Sequence, residues 1–363
     1  MAVTTTYLSG GRIQGRSDDT LETAIPQTSW KQLAKTTLSS TSATIDSGTF
    51  TAKDNLMILY IGVYNSTYVQ ANLEVGNGTI DTGDNYAYRQ SRNGETDQTY
   101  NTQPRMFYFA SGASGSDEFG VCTIRNVANK EKICDAHGMN TGDGGNGSGN
   151  VPDRAESIGK WVNTSNQINR VQVRTANLFG VGSEIVVLGC DDDEADSGTN
   201  FFQELANPTN LASAGDTLNS GTFTAKDYLL VNVFRTRSGS VNSRVQFNGD
   251  TGSHYAHRNF GASNSYGNDG ETDGGTSIHS HALTSHDSFT TYIMVNKASR
   301  EKQMIISEVN RNTAGAGNAP DRIKAVAKWA NTSNAITSIN VLNTDSGNLD
   351  VGTSIRVWGG TPT

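Results

Sequence analysis

Apolar positions fall in short runs separated by Gly- and Asn-rich turns. Residues 56–64 (LMILYIGVY) are apolar on both faces of an extended backbone, which predicts a strand in a sandwich core. In 228–234, Leu229, Val231 and Val233 share one face, the period of two that marks a strand. Phe289, Thr291, Ile293 and Val295 alternate with Thr290, Tyr292 and Met294 in another such run. Residues 302–306, 336–341 and 354–358 add more. No amphipathic helix of useful length intervenes, which argues against a parallel α/β fold. The expected fold class is all-β: two tandem homologous jelly-roll-like β-sandwich domains with an extended N-terminal arm.

The tandem organisation comes from an internal repeat. Residues 47–54 (SGTFTAKD) return at 220–227, an offset of 227 − 54 = 173. TGDNYAYR at 82–89 returns as TGSHYAHR at 251–258, offset 169. KWVNTSN at 160–166 returns as KWANTSN at 328–334, offset 168. Order is kept and the offsets drift by a few residues, as in a duplicated domain-sized unit; the period is too long for a solenoid. The organisation expected is an extended arm over 1–27, a first sandwich over 28–189, an acidic solvated linker over 190–200 (CDDDEADSGTN), and a second sandwich over 201–363.

Composition narrows the function classes. The 363 residues carry 28 Lys+Arg against 36 Asp+Glu, a formal net charge of −8, which argues against nucleic acid as a partner. No apolar run is long enough for a membrane helix, and residues 1–19 show no signal-peptide pattern. Three cysteines are too few for a disulfide scaffold, so folding in a reducing cytoplasm is expected. Cys122 and Cys134 flank a turn read as centred on Ala128. Since 122 + 134 = 256, they are expected to face each other as reduced core thiols, with Tyr292 and Met304 as counterparts.

The search for chemistry returns little. The G-x-G-x-x-G at 142–147 sits in a Gly/Asn/Asp/Ser loop with no strand–helix context, so it is read as empty. His279 and His281 would share a strand face, a spacing that could hold Zn²⁺ or Ni²⁺. No third ligand is evident, the corresponding place in the first unit is read as 101–106 (NTQPRM), which offers none, and exposed polar residues are the favoured reading. GETD at 94–97 recurs at 270–273 and is read first as an inherited turn, then as a weak Ca²⁺ loop, and only distantly as a catalytic carboxyl pair. Trp161 and Trp329 occupy one repeat position, core anchor before sugar platform. Asn163 and Asn331 head sequons that carry little weight without a secretory signal. No catalytic, cofactor-binding or metal-binding residue and no cofactor is assigned, and the protein is expected not to be an enzyme.

The start YLSGGRIQG (7–15) resembles the N-termini of virion proteins predicted from marine tailed-bacteriophage genomes. The closing G-x-x-I-x-V-x-G at 182–189 and 352–359 resembles the endings of jelly-roll-like phage structural modules. The resemblance spans the arm and both units, and no motif in it is tied to chemistry. It implies a capsid decoration, cement, tail or appendage protein, made in the host cytoplasm and carried in the virion. Its partners would be other virion proteins and further copies of itself. The alternatives are a virion-surface module that binds a host-surface glycan, and a two-sandwich major capsid protein. The arm, with Tyr7, Leu8 and Ile13 as its few apolar anchors, would tether the protein to a neighbour.

Overall fold

The computed structural model describes residues 7–8, 11–12, 29–65, 70–110, 115–142, 145–192, 200–206, 209–262, 270–279, 286–311 and 315–363. Nearly all of the arm, His281 and the acidic run at 193–199 lie outside the described residues. Among those described there is no helix; the chain is all-β.

Twelve strands build the first repeat: β1 Lys31–Thr37, β2 Ser42–Thr49, β3 Asn55–Gly62, β4 Asn72–Asn77, β5 Tyr86–Arg92, β6 Gln98–Gln103, β7 Phe107–Tyr108, β8 Glu118–Arg125, β9 Lys132–Asn140, β10 Asp153–Trp161, β11 Arg170–Phe179 and β12 Glu184–Cys190. Twelve more build the second: β13 Gln203–Glu204, β14 Thr217–Asn219, β15 Tyr228–Arg235, β16 Ser243–Phe247, β17 Tyr255–Ala262, β18 Gly270–Gly275, β19 Ile278–His279, β20 Ser288–Val295, β21 Lys302–Asn310, β22 Asp321–Trp329, β23 Ile339–Asn343 and β24 Ser354–Gly360. A few two-residue pairings remain unlabelled.

The large sheet of the first repeat runs β1-β12-β3-β8-β9-β10-β5-β6, and that of the second β13-β24-β15-β20-β21-β22-β17-β18. The small sheets run β7-β4-β11-β2 and β19-β16-β23-β14. Adding twelve to each label of the first repeat gives the second, so the two share one strand order. Each pair of sheets encloses its own core, one around Leu56, Ile58, Phe107 and Trp161, the other around Leu229, Val231, Phe247 and Trp329.

A third core lies between the repeats. Met57, Leu59, Ile61, Phe119 and Val186 of the first large sheet pack against Phe202, Tyr228, Val295, Ile305 and Val326 from the second repeat. This explains why β3 is apolar on both faces. Leu56, Ile58 and Tyr60 serve the sandwich interior, while Met57, Leu59 and Ile61 serve the inter-repeat layer. A strand with only one buried face would alternate with polar residues.

Polar contacts frame that layer. Tyr228 donates to Glu184 at 2.7 Å, and the Lys297 ammonium lies 2.7 Å from the same carboxylate. Arg300 stands 3.5 Å from Asp117, and Arg258 3.5 Å from Asp153. The two sandwiches therefore form one block.

Two expectations need correction. Cys190 does not open a linker; it ends β12, paired with Asn55, because the β12–β3 ladder continues to that residue. Asp191 and Asp192 are held by Lys53 at 2.8 Å and Arg125 at 2.6 Å. The β8–β9 hairpin pairs Cys122 with Ala136 and Ile124 with Cys134, so partners sum to 258 rather than 256. Its turn centres on Asn129, whose φ of 61° supplies the left-handed residue. The thiols are thus diagonal neighbours in the core, not directly opposed, and both are free.

Candidate functional site

The two sandwich interiors diverge in character at one equivalent end. In the first repeat Gly62, Gly120 and Gly138 leave room for aromatics. A Cβ at Gly62 would collide with the Tyr60 ring, and one at Gly120 or Gly138 with Phe109. Tyr60 stacks on Phe109 at 4.9 Å and donates a 2.8 Å hydrogen bond to Glu118. Burial pushes the Glu118 carboxyl up to about 8. In the second repeat the same three positions are Arg235, Thr290 and Glu308. Arg235 and Arg237 stand 3.6 and 3.9 Å from Glu308, and all three side chains are fully buried. Arg237 donates to Ser288 at 2.6 Å, and Thr290 to Glu308 at 2.6 Å. Burial, aided by Arg235, lowers the Arg237 guanidinium to about 10. Two cations share one carboxylate, a costly arrangement that holds together only while every member stays in place.

Two surface depressions present polar side chains to solvent. The first, about 240 Å³, lies on the outer face of the small sheet of the first repeat. Asn72 and Glu74 come from β4, Tyr108 from β7, with Arg105 just before it and Arg174 from β11. The Arg105 guanidinium lies 5.0 Å over the Tyr108 ring and donates to its hydroxyl at 2.6 Å. Burial raises the Glu74 carboxyl against the pull of Arg174, and Asn72 Oδ1 is buried with no hydrogen-bond partner. An arginine-braced aromatic ring among amide and carboxylate groups is the chemistry that meets a sugar, apolar face on the ring and hydroxyls on the amides.

The second, about 410 Å³, opens between the repeats, with His137, Arg154 and Glu156 on one side and Phe260, Arg322 and Lys324 on the other. His137 Nε2 lies 3.3 Å from Glu156. Burial opposes ionisation of Glu156, but His137, Arg154 and Lys324 outweigh it and hold the carboxyl at about 2. A carboxylate that acidic is a weak general base at neutral pH and cannot act as an acid. Glu118 has a pKa suited to proton transfer, but it is sealed behind Tyr60 with 1% exposure.

The residues singled out by sequence find plain structural partners. His279 stacks on His257 at 5.2 Å and 19°, which leaves their ring nitrogens in parallel planes instead of converging on an ion. Burial depresses His257 to about 3 and His279 to about 4, so both rings are neutral. The strand pairings match His279 with Tyr108, not with residues 101–106, and His257 with Tyr88. Among the described residues no three metal-ligating side chains cluster.

GETD behaves differently in the two repeats. Asn93 (φ 45°) and Gly94 (φ 78°) are the central pair of a turn closed by the Glu95 amide on the Arg92 carbonyl, the left-handed pair favoured by Asn-Gly. Gly270–Asp273 instead opens strand β18. Trp161 donates to Asp81 at 2.8 Å, Trp329 to Asp250 at 2.7 Å, and both rings are buried. Asn163 and Asn331 accept backbone hydrogen bonds from the residues two and three ahead, closing Asx turns. The amide of Gly147, at the end of the glycine-rich loop, donates to Glu301 of the second repeat. That loop is a docking element. The Arg235–Glu308 cluster escaped sequence reasoning, although the repeat register shows Gly62 and Gly138 replaced by charged residues.

No protein-family model matches the chain. No curated protein matches it either.

Proposed function

We propose that this protein is a non-enzymatic structural component of a bacteriophage virion, a capsid decoration or tail-appendage protein that assembles through protein–protein contacts. The observation that carries the reading is the third core. It fuses two sandwiches of one strand order into a single block with buried apolar contacts on both sides of each large sheet. Such a block suits load-bearing or surface-tiling work, since its stability is spread over three packed layers. The G-x-x-I-x-V-x-G endings that resemble phage modules become β12 and β24, second strand in each large sheet. Mass spectrometry of purified particles, with antibody labelling in electron micrographs, tests the reading. Stoichiometric presence on the particle is expected, and absence from particles that carry its gene would refute it.

One observation favours a second reading, adhesion to a host-surface glycan. Tyr108, Asn72 and Arg105 of this pocket are not repeated in the second repeat, where His279, Arg244 and Thr276 hold the equivalent positions. Glycan-array binding that is lost in Arg105→Ala would support it.

A further inference from the structure

The contact between the repeats joins opposite ends of equivalent faces. On the first repeat it uses Ile61, Phe119 and Met139, buried to 1%, 0% and 0% exposure. Their counterparts on the second repeat are Phe234, Phe289 and Val309. Those three are 41%, 42% and 44% exposed and form one row across adjacent strands, Phe234 pairing Phe289 and Phe289 pairing Val309. On the second repeat the contact uses Gln303 and Val326, both buried. Their counterparts on the first are Ile133 and Ile158, exposed at 58% and 57%. Each chain thus contains one closed copy of the interface and both halves of an open one.

The polar parts repeat in the same way. In the closed copy Lys328 donates to the Thr141 carbonyl at 2.6 Å, while its partner Glu301 accepts from the Gly147 amide. Lys328 and Glu301 are 0% and 5% exposed. The same pair on the first repeat, Lys160 and Glu131, stands 2.9 Å apart and 44% and 41% exposed. Gly315, with φ 105°, holds the place of Gly147, with φ 106°, and is exposed. Charge signs are kept as well: Arg300–Asp117 corresponds to Lys130 and Asp287, and Arg258–Asp153 to Arg89 and Asp321.

We propose that the protein self-associates head to tail. The Phe234–Phe289–Val309 row of one copy docks on the Ile133–Ile158 end of the next, and its Gly315 loop enters the Glu131–Lys160 pair. A contact between unlike patches does not stop at a dimer unless a ring closes, so it generates rings or filaments. The counterparts of Tyr228, Val295 and Ile305 are Asn55, Arg125 and Asp135, so the joint between copies is less apolar than the internal one and reversible. The inference deepens the reading as an assembling structural component, yet it is read out on purified protein, so its failure and absence from particles are separate results.

The test is sedimentation of the full chain over a concentration series, with Phe289→Glu and Ile133→Glu studied alone and mixed. Wild-type protein is expected to grow beyond a dimer. Each variant alone is expected to stay monomeric, and both should melt like the wild type, since the positions are exposed. An equimolar mixture is expected to give a one-to-one dimer and nothing larger, because each variant keeps the end the other has lost. If Phe289→Glu does not fold, Val309→Lys takes its place. A wild-type protein that remains monomeric throughout, or a mixture without dimers, overturns the proposal. It is also overturned if deleting residues 2–27 abolishes association while both face variants leave it intact, since the arm would then be the link.

Discussion

Lys328 Nζ donates to the backbone carbonyl of Thr141 at 2.6 Å, tying the second repeat to a loop of the first, with Glu301 3.8 Å away on the other side. Lys160 holds the same repeat position and meets Glu131 in solvent. The two lysines allow one chemistry to be weighed in two environments. Lys328→Ala leaves a buried carboxylate without its cation and is expected to cost about 3 kcal/mol or more. Lys160→Ala breaks an exposed pair and is expected to cost less than about 1 kcal/mol. Denaturant unfolding of dilute, monomeric protein measures both, and equal losses would contradict the burial argument.

The thiols give a second test. Cys122 is fully buried and desolvation pushes its pKa well above the ordinary thiol value, so little thiolate forms there near neutral pH. Cys134 is 7% exposed, whereas Cys190 ends β12 half-buried. A thiol reagent added to native protein is expected to modify Cys190 first, with Cys122 and Cys134 reacting only on unfolding. Three equivalents in denaturant are expected, and one would mean a disulfide between the core pair.

The strands were legible because both signals behind them are local: period-two alternation, and a repeat whose ordered offsets predict a shared strand order. The inter-repeat layer was less so. Met57, Leu59 and Ile61 on the second face of β3 call for a second cover, but a local pattern does not say which part of the chain supplies it. The hairpin turn centre was misplaced by one residue, which shifts each strand partner by two, because NVANK holds two asparagines and the sequence does not say that Asn129 takes the left-handed position. His279 was matched to the wrong segment because loop lengths differ between the repeats, and only strand pairing fixes Tyr108 as its counterpart. The pocket around Tyr108 gathers residues distant in sequence from β4, β7 and β11, so no local pattern announces it.

The duplicated tryptophan corner should report equally on both repeats. Trp161 and Trp329 each donate one hydrogen bond to an aspartate, Asp81 and Asp250, and each ring lies under a lysine ammonium, Lys132 at 5.9 Å and Lys302 at 5.8 Å. Trp161→Phe and Trp329→Phe are each expected to destabilise by roughly 2–4 kcal/mol, combining the lost charge-assisted hydrogen bond with the smaller ring. Thermal and denaturant unfolding check this, and a clear difference between the two would mean that the corner no longer does the same work in both repeats.

Glu118 makes a prediction with a definite sign. Its folded pKa is raised to about 8 by burial, while the unfolded chain titrates near 4.5. Between those values the folded state keeps a proton that the unfolded state has released. Stability therefore falls as pH rises through this window, by up to about 1.4 kcal/mol per pH unit, and levels off above the folded pKa. This is opposite to a salt-bridged carboxylate such as Glu184, whose folded pKa is lowered because Lys297, Thr37 and Tyr228 outweigh the effect of its burial. The Glu184 contribution is present above the unfolded pKa and is lost as pH falls through the folded one. Glu118→Gln keeps the shape and can still accept the Tyr60 hydrogen bond, but it has no proton to lose. The variant is expected to match or trail the wild type near pH 5 and to exceed it near pH 8, with the descending limb of the stability curve flattened. Denaturant midpoints at half-unit pH steps decide the matter. A wild-type curve that rises between pH 5 and 8, and that keeps its shape in Glu118→Gln, would show that this carboxyl is ionised in the folded protein.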